Sequence, residues 1–357
     1  MTETVFGERM LITRGAIAVT TRDSRPLPEV GDGDVLFAVH RIALTANNVT
    51  YAAAGEMLGY WRFFPGPEGK GVLPVWGFGE VVESRAPEFA VGDRFYGYWP
   101  LATHLLVQAP VSAPGGFTDT APHRQGLADI YNRYSRVEPR LAGEEALDAL
   151  FRPLFMTGWL IDSFLEGAGD FGAEQVTLSS ASSKTAMAAA FNLSRRGAVQ
   201  VIGLTSAANR AFTESLGSYT QVLTYDDVDT LEQKPSVYVD FAGDRALTQS
   251  VHVRLGDALK HSAIVGMTHW SHGGDTPLPG PTPTLFFAPA VAEATVAKLG
   301  PAGFADVTGR AWAKFVPAVR DKLAVETLHG LDAAETAYRD LAAGRIGGAS
   351  AIVVELD

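Results

Sequence analysis

Up to about residue 110 the apolar positions fall in short runs cut by glycine and proline, the pattern of a small β-barrel or sandwich. Asp34–Val39 is a β run that follows the turn Gly31-Asp32-Gly33-Asp34. Val75–Glu83 is a second, and Arg94–Tyr98 follows Gly92-Asp93. Residues 111–140 break this rhythm. Pro114-Gly115-Gly116, Pro122 and Pro139 interrupt them, they carry Tyr131 and Tyr134, and they read as an inserted, lid-like excursion. Residues 144–166 have helical spacing, with Leu147, Leu150, Leu154 and Ile161 on one face. From 175 onward strand and helix alternate. The strands are Val176–Leu178, Val199–Leu204, Gln221–Leu223, Val237–Asp240 and Ala263–Gly266, and the helices are 184–195 and 207–216. Such alternation predicts a parallel sheet covered by helices.

Composition narrows the class. The 357 residues suggest two domains or one large one, and at 46% hydrophobic and 19% charged they allow a sizeable core. A net charge of −11 argues against a nucleic-acid partner, which needs a basic face. Cysteine is absent, so disulfides, thiol nucleophiles and Cys-ligated zinc are excluded. The N-terminus has no apolar signal-like stretch and no run is long enough to span a membrane, so a cytoplasmic protein without a membrane partner is expected.

The most informative segment is the turn Ser179-Ser180-Ala181-Ser182-Ser183-Lys184-Thr185-Ala186, set between a strand and a helix of small residues. In a doubly wound sheet this turn receives a pyrophosphate at the helix N-terminus. The glycines usual there are replaced by small residues. The hydroxyls of Ser180, Ser182, Ser183 and Thr185 are candidate phosphate donors, and Lys184 a candidate charge; the turn also reads as a Ser-rich helix cap. The next strand ends in Thr205 and Ser206, with Asn209 and Arg210 following, where an NAD site usually has an acidic residue. Hydroxyls plus an arginine suit a 2′-phosphate and favour NADPH over NADH.

With these segments in place the chain resembles the medium-chain dehydrogenase/reductase superfamily, nearest its zinc-free quinone-oxidoreductase-like branch and within an uncharacterised domain-of-unknown-function family. The residues that carry this are Ala43–Tyr51, similar to the substrate-site loop; Gly79–Glu83 and Val91–Phe95, similar to barrel segments; and Gln221–Tyr225, whose Tyr225 would border the adenosine phosphate. Val237–Gly243, with Phe241, is similar to the strand reaching the nicotinamide ribose, and Gly347–Val354 to the closing strand. Ala46-Asn47-Asn48, Ser182–Ala186 and Phe286-Phe287-Ala288-Pro289 look typical of the uncharacterised branch. Where the zinc enzymes have Gly-His-Glu, this chain has Trp76-Gly77-Phe78-Gly79-Glu80.

The resemblance implies a GroES-like β-barrel over 1–155, with the lid-like segment 111–140, a Rossmann NADPH-binding domain over 156–310, and a return to the barrel over 311–357. The active site is expected in the cleft between the domains. Without zinc, a substrate carbonyl would be polarised by hydrogen-bond donors. Tyr51 is the first candidate, with Asn48, Tyr131 and His269 beside it; Asn47 and Asn48 also read as Asx turns, the tyrosines as packing, and His269 as a structural loop residue. Phe241, Gly266, Met267 and Phe287 join the cofactor set. The expected activity is NADPH-dependent reduction of an activated C=C or C=O bond in a small, partly apolar molecule, with a homodimer as the expected assembly. An NADPH-binding sensor or scaffold without hydride transfer, and a metal-free lyase or isomerase, are the open alternatives.

Overall fold

The computed structural model describes residues 5–265 and 278–356. The chain divides into two compact units. One comprises Met1–Leu150, Val325–Ile346 and Ala351–Asp357; the other comprises Phe151–Ala324 and Gly347–Ser350. The second crossing differs from the 310/311 boundary expected from the sequence. That boundary falls within Ala288–Val319, a helical segment kinked at Gly300 (φ 71°) ahead of Pro301. Its Phe315 packs on Phe151, Phe155 and Phe191, so residues as far as Ala324 belong with the second unit. No helix among the described residues is long and apolar enough to cross a membrane.

In the first unit, strands Ala16–Pro26, Phe6–Thr13 and Lys70–Val72 form a small antiparallel sheet. A nine-stranded sheet is built around Val35–Leu44, Pro74–Ser84 and Arg94–Pro100. One apolar core takes residues from both sheets. The strand Val35–Leu44 shows how it is filled. Val35, Phe37 and Val39 enter the core at every second position, as a pleated strand requires. The pairing register then shifts between Val39 and Ile42, and Ile42 and Leu44 enter instead. A bulge is the local irregularity that switches parity in this way.

Residues 111–140 are not a lid. Val111–Ala113, Gly116–Thr118 and Arg133–Arg136 extend the large sheet from the edge of Arg94–Pro100. Phe117 and Tyr134 are core residues, their rings stacked at 4.5 Å. Tyr134 lies flat over Gly97, where an added Cβ would come within 2.3 Å of the ring, so only glycine fits there. The Tyr134 hydroxyl donates to the Tyr98 carbonyl at 2.6 Å. Arg124 lies beneath it, fully buried, paired with buried Asp119 at 2.9 Å.

The second unit is the doubly wound sheet that the alternation predicts. In chain order its strands are Gln175–Leu178, Gln200–Thr205, Gln221–Thr224, Ser236–Asp240, Leu259–Ile264 and Thr284–Leu285. All pair in parallel, in the spatial order third, second, first, fourth, fifth, sixth. The order in which the chain adds strands reverses between the first and fourth strands, the switch point at which such sheets bind ligands. Helix Lys184–Arg196 starts on an N-cap bond from the Ala186 N–H to the Ser183 hydroxyl and stops at Gly197 in the left-handed region. Its buried alanines allow close packing: a Cβ added at Gly158 would sit 2.5 Å from the Ala189 backbone nitrogen.

Arg124→Met leaves the Asp119 carboxylate buried without its partner. We expect a loss of about 3–5 kcal/mol in urea unfolding of the first unit, partly recovered when Asp119→Asn is added. A loss below about 1 kcal/mol would show that water reaches the pair.

Candidate functional site

Two groups of residues carry polar chemistry, one in each unit.

In the second unit, parallel strands bring Leu178, Thr205, Thr224 and Asp240 to the same edge of the sheet. The serine turn follows the first of these. Ser180 takes φ 46°, a left-handed conformation that glycine adopts freely and serine does not. It is hydrogen-bonded to Tyr225, whose phenol is raised by burial. Ser182 is buried, and its hydroxyl receives that of Thr205 at 3.4 Å. Ser183 is the helix cap, and Thr185 is half-buried in the first helical turn. Ser206 accepts from the Asn209 side chain at 3.2 Å. Arg210 is exposed and engages Glu214 at 2.9 Å and Asp227 at 4.0 Å. Phe241 is buried and donates its N–H to Ser179 Oγ at 2.8 Å; Phe287 is partly exposed and caps the helix start at Ala288. Ser180, Ser182, Ser183, Thr205, Ser206, Asn209 and Tyr225 thus lie together along one edge, with the backbone N–H groups of a helix N-terminus among them. Such an edge fits a dinucleotide phosphate.

Two candidates are employed otherwise. The Lys184 ammonium donates to the Gly348 carbonyl at 2.7 Å and to the Ser350 carbonyl. It therefore fastens the segment Gly347–Ser350 to the turn instead of offering a free charge. Asn209 receives the Gly348 N–H at 3.1 Å. Gly348 fits because it has no side chain: an added Cβ would fall 2.5 Å from Ser182 Cβ. His269, Gly266 and Met267 lie outside the described residues.

The serine turn is anchored by residues outside the phosphate-turn motif. Ser179 Oγ donates to Asp240 Oδ1 at 2.7 Å, which bridges the first and fourth strands at the switch point. Asp240 also accepts from the N–H groups of Ala242 and Gly243 and from the Thr248 hydroxyl. Burial raises its pKa, and these donors oppose that rise.

In the first unit, an aromatic cluster gathers around Tyr51. Helix Ala46–Ala53 begins with a capping box in which the Thr45 N–H donates to Asn48 Oδ1 at 2.7 Å. The Asn48 amide donates to the Pro74 carbonyl at 3.0 Å. Asn48 is therefore a buried structural residue, and its side chain is not the substrate contact expected of it. The Tyr51 hydroxyl accepts from Trp76 Nε1 at 3.0 Å, with the Tyr131 ring edge-on to Tyr51 at 6.4 Å. Tyr131 reaches Tyr60 hydroxyl to hydroxyl at 3.4 Å. The Tyr98 ring packs edge-on to Tyr51 at 5.4 Å and against Tyr131 at 4.7 Å, and its buried hydroxyl has no hydrogen-bond partner among the described residues. Burial raises the phenols of Tyr51, Tyr60, Tyr98 and Tyr131, so all four stay protonated at neutral pH. Asn47, Tyr60, Trp76 and Tyr98 surround Tyr51 and Tyr131, the two tyrosines named as candidate catalytic groups from sequence. Among the described residues no group of three His, Asp or Glu side chains is placed to hold a metal ion.

The two units have the fold of the medium-chain dehydrogenases/reductases, a GroES-like barrel with a Rossmann sheet. Solved structures spanning almost the whole chain share it. A putative NADPH:quinone reductase from Mesorhizobium loti has a TM-score of 0.63 and 13% identity, covering 99% of this chain and 100% of its own. CurA from Vibrio vulnificus in complex with NADPH has a TM-score of 0.61 and 11% identity, covering 98% and 99%. The yhdH oxidoreductase from Salmonella enterica in complex with NADP has a TM-score of 0.55 and 16% identity, covering 98% and 100%. Among curated proteins none matches the chain. Within this fold the chain belongs to the family described as protein of unknown function DUF2855, whose model matches residues 42–347.

Burial pulls the Lys184 ammonium down to about 8, below the ordinary lysine value near 10.4. Between those values the unfolded chain keeps a proton that the folded chain has lost, so stability rises with pH. Relative to Lys184→Met, the wild type should gain on the order of 1 kcal/mol in urea unfolding between pH 8 and 9.5. A flat difference would mean that the ammonium is solvated and free to meet a phosphate.

Proposed function

We propose that this protein is an NADPH-dependent reductase that saturates an activated C=C or C=O bond of a small, partly apolar substrate, with Tyr51 as its hydrogen-bond donor. The observation that carries this reading is the state of the Tyr51 hydroxyl. It accepts from Trp76 Nε1, which leaves its own proton available to another acceptor. Burial keeps that phenol neutral, so it serves as a donor and not as a base. A neutral donor held by buried partners needs little reorganisation to polarise a carbonyl oxygen. Tyr131 and Tyr60 extend the chain of hydroxyls along which a proton is replaced.

NADPH, when bound, supplies the hydride. The Ser180–Ser183 turn and the helix N-terminus would hold its pyrophosphate; Thr205, Ser206 and Arg210 its 2′-phosphate; and Tyr225 its adenosine end. The similar folds from Vibrio vulnificus and Salmonella enterica, with NADPH and NADP bound, support this choice of nucleotide. Lys184 is left out of the phosphate set because its ammonium is engaged by two carbonyls.

A second reading, nucleotide binding without hydride transfer, draws on the contact of Gly348 with Ser182, which crowds the serine turn. Two measurements separate the readings. NADPH fluorescence titration should show saturable binding; its absence removes both. Stereospecific deuterium transfer from labelled NADPH to an enone or quinone is expected of the reductase, and binding without transfer leaves only the second reading.

Tyr51→Phe should lower kcat by about 10²-fold with NADPH affinity unchanged, and Trp76→Phe by about tenfold. Equal loss of NADPH affinity in Tyr51→Phe would place the hydroxyl on the cofactor instead.

A further inference from the structure

The 2′-phosphate end of the proposed nucleotide site is braced by a strap from far along the chain. Gly347–Ser350 belongs to the second unit. The strap is folded on itself by the Ser350 N–H, which donates to the Gly347 carbonyl at 3.1 Å. It is pinned by the Ala324 N–H on the Ala349 carbonyl at 3.0 Å and by Lys184 on the carbonyls of Gly348 and Ser350. These bonds aim the Gly348 N–H at Asn209 Oδ1, 3.1 Å away. A side chain at this position would prevent the approach, since an added Cβ falls 2.5 Å from Ser182 Cβ. A backbone N–H can only donate, so it fixes which end of the Asn209 amide is oxygen. The amide nitrogen is thereby turned to Ser206 Oγ at 3.2 Å, within a turn closed by the Asn209 N–H on the Ser206 carbonyl at 3.0 Å. There the nitrogen donates and the hydroxyl oxygen accepts, which leaves the Ser206 proton for another acceptor. Among the described residues none takes it. The other two groups placed at the 2′-phosphate are committed. Thr205 is fully buried and donates to Ser182 at 3.4 Å, and Arg210 is shared between Glu214 and Asp227.

We propose that Asn209 is a positioning residue, itself set by Gly348 and Lys184, which turns out the Ser206 hydroxyl as the donor that reads the 2′-phosphate and so fixes a preference for NADPH over NADH. This role rests on the nucleotide site proposed above. It takes Asn209 out of the phosphate contacts expected from sequence and puts it behind them. A hydroxyl that already accepts a hydrogen bond is polarised as a donor, and its bond to an ionised phosphate oxygen is of the stronger, charge-assisted kind. Held in that direction before the ligand arrives, it has less freedom to lose on binding. A ribose hydroxyl in the same place is neutral and gains less from the same donor. The pyrophosphate is common to both nucleotides, so a change confined to the phosphorylated one reports the 2′ end alone.

The test titrates the full chain by calorimetry with NADPH and NADH, and with 2′-phospho-ADP-ribose and ADP-ribose, which carry no nicotinamide. The wild type should bind the phosphorylated member of each pair at least about tenfold more tightly. Ser206→Ala and Asn209→Ala should each cut that preference by about fivefold, with the affinities for NADH and ADP-ribose unchanged. Gly348→Ala, which displaces the N–H from Asn209, should cut it as well. The double variant Ser206→Ala/Asn209→Ala should lose no more than Ser206→Ala alone, because Asn209 acts through Ser206. Three outcomes overturn the proposal. Equal weakening of both members of a pair in Asn209→Ala would show a structural role only. Additive losses in the double variant would put Asn209 on the phosphate itself. An unchanged preference in Asn209→Ala would show that Ser206 needs no support. Failure of all four nucleotides to bind removes the nucleotide site and this role together, whereas binding without hydride transfer removes the reductase reading and leaves this role standing.

Discussion

The buried carboxylate of Asp240 joins the two strands of the parallel sheet between which the order of strand addition reverses. It accepts a hydrogen bond from the Ser179 hydroxyl at 2.7 Å and two more from backbone N–H groups of the loop that follows its own strand. Ser179 in turn accepts from the N–H groups of Phe241 and Ala242. Each polar group in this knot is satisfied by another, which is the condition under which a charge is tolerated away from water. The turn that begins at Ser179 is thereby set in position before any ligand arrives, and Ser180 is held in a left-handed conformation that a free serine would avoid.

That arrangement explains how a phosphate-type turn is built without its glycines. In the usual fingerprint, glycine permits both a tight backbone and close approach. Here the tight backbone comes from the hydrogen bonds of Ser179, Asp240 and Tyr225, and Gly348 lets its own segment pack closely on Ser182. Lys184 completes the arrangement by holding the carbonyls of Gly348 and Ser350. The tyrosine cluster of the first unit follows the same logic. The Thr45–Asn48 capping box fixes the helix that carries Tyr51, and the Trp76 indole fixes the hydroxyl.

Much of the second unit was legible along the chain. Its strands are short apolar runs separated by helices of ordinary length, and the observed strands Gln175–Leu178, Gln200–Thr205, Gln221–Thr224 and Ser236–Asp240 fall where the alternation put them. The helical segment Ala288–Val319 was not legible, because Gly300, Pro301 and Pro317 interrupt a pattern whose face is only partly buried. Residues 111–140 misled for a related reason. Three- and four-residue strands carry too little alternation to be told from loop, and Pro114, Pro122 and Pro139 suggest an excursion.

Residue types and their order determined the alternating sheet, the absence of a Cys-ligated metal and the hydroxyl-rich strand ends, whereas Tyr51 and Tyr131 were chosen through the family resemblance. These are local properties: periodicity, composition and position relative to a strand end. Only tertiary structure decided that Lys184 serves Gly348 and Ser350, that Asn48 caps a helix, and that Asp240 pins Ser179. The partners in most of these pairs are far apart in sequence, 164 residues in the case of Lys184 and Gly348 and 61 in that of Ser179 and Asp240. A side chain's role is set by which donors and acceptors reach it once water is excluded, and folding alone brings those groups together.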